Sequence, residues 1–150
     1  MIPKANVFRW INFYPPFLGA GIRVRKPDVK DETIEVEMRL RFWNKNYVGT
    51  HYGGSLYSMC DPFFMLILMH KLGNNYIVWD KAAEIKFLKP GTGKVKARFQ
   101  VSDEKILAIQ EEIKMKNKAD YEFETTITDE ENNIIAEVKK LIYVRKKNNT

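Results

Sequence analysis

Cysteine and histidine are scarce in this chain of 150 residues, which contains one cysteine and two histidines. A single cysteine excludes a disulfide scaffold within one chain and any cysteine-rich zinc site. With only His51 and His70 present, a metal centre built from several histidines is not expected. We therefore predict a function that requires neither a metal ion nor another cofactor.

Long hydrophobic runs are also missing. The most apolar stretch, residues 62–69, is far shorter than the ~20 residues that a membrane-spanning helix needs. Near the N-terminus, Arg9, Asn12 and the Pro15-Pro16 pair interrupt the apolar residues, whereas a secretory signal has a continuous apolar core. These features predict a cytoplasmic protein without stable membrane insertion.

The charge is moderately basic, because 25 lysines and arginines face 19 acidic residues and leave a formal charge of +6. An excess of this sign favours anionic partners, such as nucleic acid, an acidic membrane surface or a ligand that carries phosphate. Charge is the one feature that supports nucleic-acid binding, since no recognised motif accompanies it, and we expect no nucleic-acid partner. The composition is globular, and residues 1–150 show no repeat or linker, which predicts one domain.

Apolar residues that alternate with charged ones predict most of the strands. Residues 33–42 alternate strictly, and residues 94–101 repeat the pattern, so each strand has one buried and one wet face. We predict further strands at 22–24, 77–88, 121–128 and 134–144. Two flanking helices are predicted, one at 5–14 that the double proline ends and one that runs from Ser102 as N-cap to about Lys116.

A central helix is predicted between Gly53-Gly54 and the Gly73-Asn74-Asn75 stop. Its apolar residues leave almost no polar face, so we expect it to be buried on all sides. Alternating strands with short connections favour an antiparallel sheet over a parallel one. The fold class is therefore α+β, with a curved antiparallel sheet wrapped around one central buried helix.

Two features of this central segment carry chemistry. Asp61 lies in its most apolar part, where an ionised carboxylate needs partners, so it is either hydrogen-bonded for structure or used in a reaction. At Gly53 and Gly54 the first N–H groups of the helix lack acceptors and could bind an anion or a carbonyl oxygen, although a loop that simply needs glycine is the alternative.

On one helix Gly53 and Asp61 lie ~12 Å apart along the axis, too far to act on one carbon. If both serve one site, they come from two chains at a dimer interface.

The same segment carries a resemblance to a known family. Asn46-x-x-Gly49-Thr50-x-x-Gly53-Gly54, followed by Leu56 and Asp61, resembles the motif of hotdog-fold acyl-CoA thioesterases. The closest likeness is to the phenylacetic-acid-degradation type and an uncharacterised branch grouped with it. Residues 78–90 also resemble that branch, and the likeness covers roughly residues 20–145.

The resemblance implies acyl-CoA thioester hydrolysis at the interface of a homodimer, or of a dimer of two such dimers. Asp61 would be the general base or the nucleophile, and the N–H of Gly53 or Gly54 from the other chain would bind the thioester oxygen. Asn46 would orient substrate or water, and the residues after it would contact substrate: Thr50, His51 and Tyr52.

Basic residues between 86 and 98 add a binding hypothesis. Lys86 and Lys89 are predicted to contact the phosphates of coenzyme A, with a merely solvated strand face as the alternative. His51 has a comparable alternative, a solvated loop side chain. Cys60 is interpreted as inert packing.

One position departs from the family pattern. Histidine often precedes the glycine pair, but here Tyr52 stands there and His51 lies one residue earlier. A tyrosine hydroxyl donates a hydrogen bond but does not titrate near neutrality. This difference motivates a second hypothesis, a non-catalytic acyl or acyl-CoA binding protein on the same fold.

Overall fold

Six antiparallel strands form one sheet. The computed structural model describes residues 7–25 and 33–147, without the side chain of Arg9. The strands are β1 Ile22–Val24, β2 Thr33–Arg39, β3 Tyr76–Phe87, β4 Lys94–Gln100, β5 Lys118–Thr128 and β6 Ile134–Lys146. Their order in the sheet is β1-β2-β4-β5-β6-β3. The helices are α1 Val7–Trp10, α2 Pro15–Ala20, α3 Gly53–Ser58, α4 Phe63–Leu72 and α5 Asp103–Lys116, with a 3-10 helix at Ile11–Phe13.

The core lies between α4 and the inner face of the sheet. The Phe99 ring from β4 packs against Phe63 and Phe64 of α4, with ring centroids 4.9 and 5.2 Å apart. Phe64 also stacks on Phe123 of β5. The predicted architecture, an α+β hotdog fold with a curved sheet around a helix, is confirmed.

The single central helix of the prediction is wrong, because the chain breaks between Ser58 and Phe63. Pro62 has no N–H to donate to the Ser58 carbonyl. The chain tightens there, with Cys60 N donating to the Tyr57 carbonyl at 2.8 Å, and α4 begins anew after Pro62. Asp61 therefore lies in a turn between two helices, and the ~12 Å spacing along one axis does not apply. Burial of α4 is also incomplete, since three of its apolar side chains are only half-buried: Met65, Leu66 and Met69.

Three other predicted boundaries need correction. The double proline ends the first helix but also starts α2, because proline fits the first turn of a helix. The predicted helix at 5–14 falls partly outside the described residues, and the remainder is α1 and the 3-10 helix. Strand β2 ends at Arg39 instead of Phe42, where the Asn44 side chain accepts from Arg41 N and donates to the Arg39 carbonyl.

Strands β3 and β4 do not form a hairpin. These strands are neighbours in sequence, but β3 pairs with β6 at one edge, and β4 lies between β2 and β5. The inward residues of β4 are fully buried under α4, and these positions belong in the centre of the sheet: Val95, Ala97 and Phe99.

The described ranges contain no helix that is long and apolar enough to cross a membrane.

Replacing Ser102 by alanine should lower the free energy of unfolding by about 1 kcal/mol. Ser102 caps α5 as predicted, since its hydroxyl accepts a hydrogen bond from Lys105 N at 3.2 Å. Urea denaturation of the wild type and Ser102→Ala measures the difference. Ser102→Asp is the matched control, because its carboxylate can still accept the same N–H, and an equal loss in both variants would contradict the capping role.

Candidate functional site

A large apolar cleft runs between the N-terminal helices and the start of α4. Its volume is about 980 Å³, and Asp61 contributes a carboxylate to its wall. The Asp61 side chain is 49% exposed, so it can meet a ligand in the cleft. The other walls are mostly aromatic and aliphatic: Val7, Trp10, Ile11, Phe13, Tyr14, Pro15, Pro16, Phe17, Tyr57, Ser58, Pro62 and Leu66.

Beneath the cleft, one buried lysine holds the Asp61 carboxylate. Lys140 Nζ lies 2.8 Å from Asp61 Oδ1 and 3.2 Å from Asp80 Oδ2, and the lysine side chain has 0% exposure. The Tyr57 hydroxyl donates to the same Asp61 Oδ1 at 2.7 Å and accepts from Lys140 Nζ at 3.0 Å. Asp61 is therefore the outermost member of a four-residue cluster.

The strands explain why a lysine is buried here. Lys140 occupies an inward position of β6, in the same alternation as Val138 and Ile142. Strand β3 has a bulge between Asp80 and Ala82, and Asp80 lies just before it, opposite Ile142 on the inner face. The sheet thus brings a cation from β6 and an acid from β3 under the turn that carries Asp61.

The contacts shift the pKa values within this cluster. Burial alone would raise the pKa of Asp61, but hydrogen bonds from Lys140 and Tyr57 and the lysine charge outweigh it and hold the pKa below its ordinary value. Burial alone would lower the pKa of Lys140, and the bonds to Asp61 and Tyr57 instead raise it. Burial raises the pKa of Asp80 despite the neighbouring cation. Near neutral pH the cluster therefore contains an ionised Asp61 and a protonated Lys140.

The glycine motif forms a second, smaller cleft of about 350 Å³. Among the predicted site residues, Asn46, Thr50, His51, Gly53 and Lys89 line it. In the described part of the chain, neither Gly53 N–H nor Gly54 N–H has an acceptor, as is usual for the first residues of a helix. The helix start therefore leaves two N–H donors available to an oxygen atom, one of them on Gly53 at the wall of this cleft.

Asn46 organises the loop around this cleft. Its Oδ1 accepts from Thr50 N at 2.9 Å, and its Nδ2 donates to Thr50 Oγ1 at 2.9 Å. Gly49 adopts a φ of 86°, which favours glycine at the tip of the loop. The amide of Asn46 is thus used by the loop itself, and its predicted role toward substrate or water stays a prediction.

His51 is not the solvated side chain that was considered as the alternative. It is buried, and its Nε2 lies 3.0 Å from the Gly93 carbonyl, which can only accept, so Nε2 carries a proton. Burial lowers the pKa of His51, so the ring is neutral near pH 7. This contact joins the loop that contains His51 to the connection between β3 and β4. Cys60 is also buried, and burial raises the pKa of its thiol, as expected of inert packing.

The Tyr52 ring lies close to Gly54. A Cβ atom added at Gly54 would come too close to Tyr52 Cε1, so a larger residue there would require this exposed ring to move. At Gly53 the corresponding neighbour is the tip of Phe87, at 3.0 Å. The tyrosine that replaces the expected histidine therefore lies beside the helix start.

Asp61 and Gly53 line different clefts within one chain. Asp61 contributes to the apolar cleft and Gly53 to the smaller one, and neither of these two clefts contains both residues. Lys89 belongs to the glycine cleft, whereas Lys86 lines a polar groove on the outer face of the sheet. The same described ranges hold no group of three or more His, Cys, Asp and Glu side chains that could bind a metal ion.

The sequence interpretation missed three members of the Asp61 cluster: Tyr57, Asp80 and Lys140. For Lys140 a signal was present, because it interrupts the apolar alternation at 136, 138, 142 and 144 with a charge. Such a charge at an inward strand position is costly unless it is paired, and it points to a buried acid. The sequence does not identify the acid that pairs with Lys140, because Asp61 lies 79 residues earlier in the chain.

A family model matches residues 5–144 and is described as a domain of unknown function, DUF4442. The chain belongs to this family. The narrower resemblance to the phenylacetic-acid-degradation type is not confirmed by this match. A comparison with curated proteins found none that matches the chain.

Solved structures share the hotdog fold at low sequence identity. A Pseudomonas aeruginosa protein of unknown function, described as a probable thioesterase, aligns with a TM-score of 0.84 and 20% identity over 97% of both chains. A thioesterase from Haemophilus influenzae aligns with a TM-score of 0.66 and 17% identity over 97% of this chain and 92% of its own. A protein of unknown function from Chlorobaculum tepidum aligns with a TM-score of 0.74 and 18% identity, over 96% and 94%.

Proposed function

We propose that this protein hydrolyses acyl-CoA thioesters, with Asp61 as the reacting carboxylate. The observation that carries the proposal is an ionised, half-exposed Asp61 on the wall of an apolar cleft of about 980 Å³. The thioesterase names of two structural neighbours support it. The carboxylate either activates water as a general base, or attacks the thioester carbonyl as a nucleophile, expels the thiolate of coenzyme A and leaves an anhydride that water hydrolyses.

The acyl group occupies the apolar cleft in this proposal. Its hydrocarbon chain packs against Trp10, Phe13 and Leu66, and its removal from water provides binding energy. Asp61 lies at the end of the cleft where the thioester group binds. The phosphates of coenzyme A contact Lys89 beside the glycine cleft and Lys86 on the neighbouring basic surface.

The complete site requires two copies of the chain. Strand β3 is an edge strand of 12 residues, and most of its side chains are exposed on both faces. An edge of this length pairs readily with a second copy of itself, and a two-fold axis makes that pairing antiparallel. The half of one strand that contains Asp80 then lies beside the half of the other that contains Phe87, and Phe87 lies against Gly53. Asp61 of one chain would meet the glycine N–H donors of its partner.

A second candidate function is supported by Tyr52. It occupies the position where the family often has histidine, and its ring lies close to Gly54. A tyrosine hydroxyl does not titrate near neutrality as histidine does, so the alternative is a non-catalytic acyl or acyl-CoA binding protein. The acyl cleft would have the same occupant in both cases.

Thiol release from a panel of acyl-CoAs tests the proposed function. The panel runs from acetyl to palmitoyl and includes aromatic acyl groups, and we expect turnover of the members that fill the apolar cleft. Calorimetric titration with a non-hydrolysable thioether analogue of each member runs in parallel. Tight binding without thiol release across the panel would favour the binding protein. The absence of both binding and thiol release would contradict both functions.

A further inference from the structure

Lys140 and Tyr57 both address one oxygen of Asp61. Oδ1 accepts from Lys140 Nζ at 2.8 Å and from Tyr57 Oη at 2.7 Å. Within the described residues Oδ2 accepts no hydrogen bond. The carboxylate is therefore held by one oxygen, and the other is left to the cleft that Asp61 lines.

We propose that Lys140 and Tyr57 are positioning residues, which bind Asp61 Oδ1 and present Oδ2 as the oxygen that meets water or the thioester. The inference deepens the proposed function and rests on it for the reaction. The pairing itself is a property of the fold and is measurable without any substrate.

Burial makes the lysine effective in this role. The Lys140 side chain has no exposure, so solvent hardly screens its charge, whereas Asp61 remains half-exposed. An exposed lysine would gain little from the same contact and would be free to move away. The ion pair is therefore asymmetric, with a fixed cation below and a carboxylate that reaches the cleft.

The titratable groups around Lys140 come from three parts of the chain. Tyr57 belongs to α3, Cys60 and Asp61 to the turn before α4, and Asp80 to β3. Asp80 is the second carboxylate on the cation, at 3.2 Å, and its Oδ1 is buried without a hydrogen-bond partner in the described structure. Because its pKa is raised, Asp80 takes up a proton before Asp61 does as the pH falls. The cation is then left to Asp61.

Replacing Lys140 by methionine should raise the pKa of Asp61 by about one to three units. The apolar side chain has a similar length, and the cost of removing one partner of a buried ion pair is reduced here because Asp61 can hydrate on its exposed side and Asp80 can take up a proton. The measurement is a carboxyl ¹³C NMR titration of aspartate-labelled protein, with Asp61 assigned through Asp61→Asn. Lys139→Met is the matched control, since Lys139 is the exposed neighbour on the opposite face of β6 and pairs with Glu124. It should leave the titration unchanged.

Activity provides the second readout. In the wild type the acid limb of kcat/KM against pH should lie below the ordinary carboxylate range, because kcat/KM falls only when Asp61 is protonated. In Lys140→Met the limb should move up with the NMR pKa, so the loss is large at low pH and shrinks as pH rises. A merely structural lysine would lower kcat/KM at all pH values without moving the limb.

Tyr57→Phe keeps the test decisive if Lys140→Met does not fold. It removes one donor to Oδ1 and leaves the ring and the buried lysine in place, so the pKa of Asp61 should rise by less than in Lys140→Met. An unchanged Asp61 pKa in both variants, or in Tyr57→Phe alone if the other does not fold, overturns the positioning role. A shifted pKa without thioesterase activity in the wild type would instead retain the pairing and contradict the proposed function.

Discussion

Asp61→Asn should lower kcat/KM for acyl-CoA by about 10²- to 10⁴-fold, the usual contribution of a positioned acid or base. The asparagine side chain has the same shape and can still accept from Lys140 and Tyr57, so the fold should persist. Its amide cannot take a proton from water or attack a carbonyl carbon. Thiol release with the best member of the acyl-CoA panel measures the loss.

The control for this variant is Asp120→Asn, which removes an exposed carboxylate that pairs with Lys81. It should retain full activity, because Asp120 lies outside both clefts. If Asp61→Asn folds normally and hydrolyses acyl-CoA as fast as the wild type, Asp61 is not the reacting carboxylate. Binding of the thioether analogue to Asp61→Asn should persist, since the apolar walls are unchanged.

The overall fold was predictable from sequence because its signals are local. Alternation in residues 33–42 and 94–101 defines strands with one buried face, and the apolar segment after Gly53 requires a sheet to cover it. Pairing was less predictable, because β4 joins β2 and β5 instead of its sequence neighbour β3. Alternation says which face is buried, but it does not say which strand lies alongside.

The candidate site also has residues that were predictable from local sequence and residues that were not. Asp61 and the glycine pair were found because an acid in an apolar segment and a glycine pair at a helix start are visible in a short window. The Lys140 contact depends on a strand that follows Asp61 by about eighty residues, and the break at Pro62 decides where the carboxylate points. Pro62 was recognised as removing a helical hydrogen bond, but its consequence for the direction of the chain required the packed structure.

Two inactive variants should restore activity when they share a dimer. Gly53→Pro removes the N–H and should lower kcat by about 10²- to 10³-fold if that group binds the thioester oxygen. The exchange suits the backbone, because Tyr52 is already extended at ψ 129° and proline is favoured at the first helical position. Gly53→Ala is the matched control, since it meets the same Phe87 tip and keeps the N–H.

Complementation then distinguishes a site shared between chains from a site within one chain. Co-expressed Asp61→Asn and Gly53→Pro chains should show about a quarter of wild-type activity, because random pairing makes about half of the dimers mixed and each mixed dimer has one intact site. Different affinity tags isolate the mixed dimers, which should then show about half of the wild-type rate. Each mixed dimer also has one site with both defects, so activity cannot exceed that level. Mixed dimers that stay as inactive as the two parents would contradict a site shared between chains, because Asp61 of one copy would then not reach the glycine donor of the other.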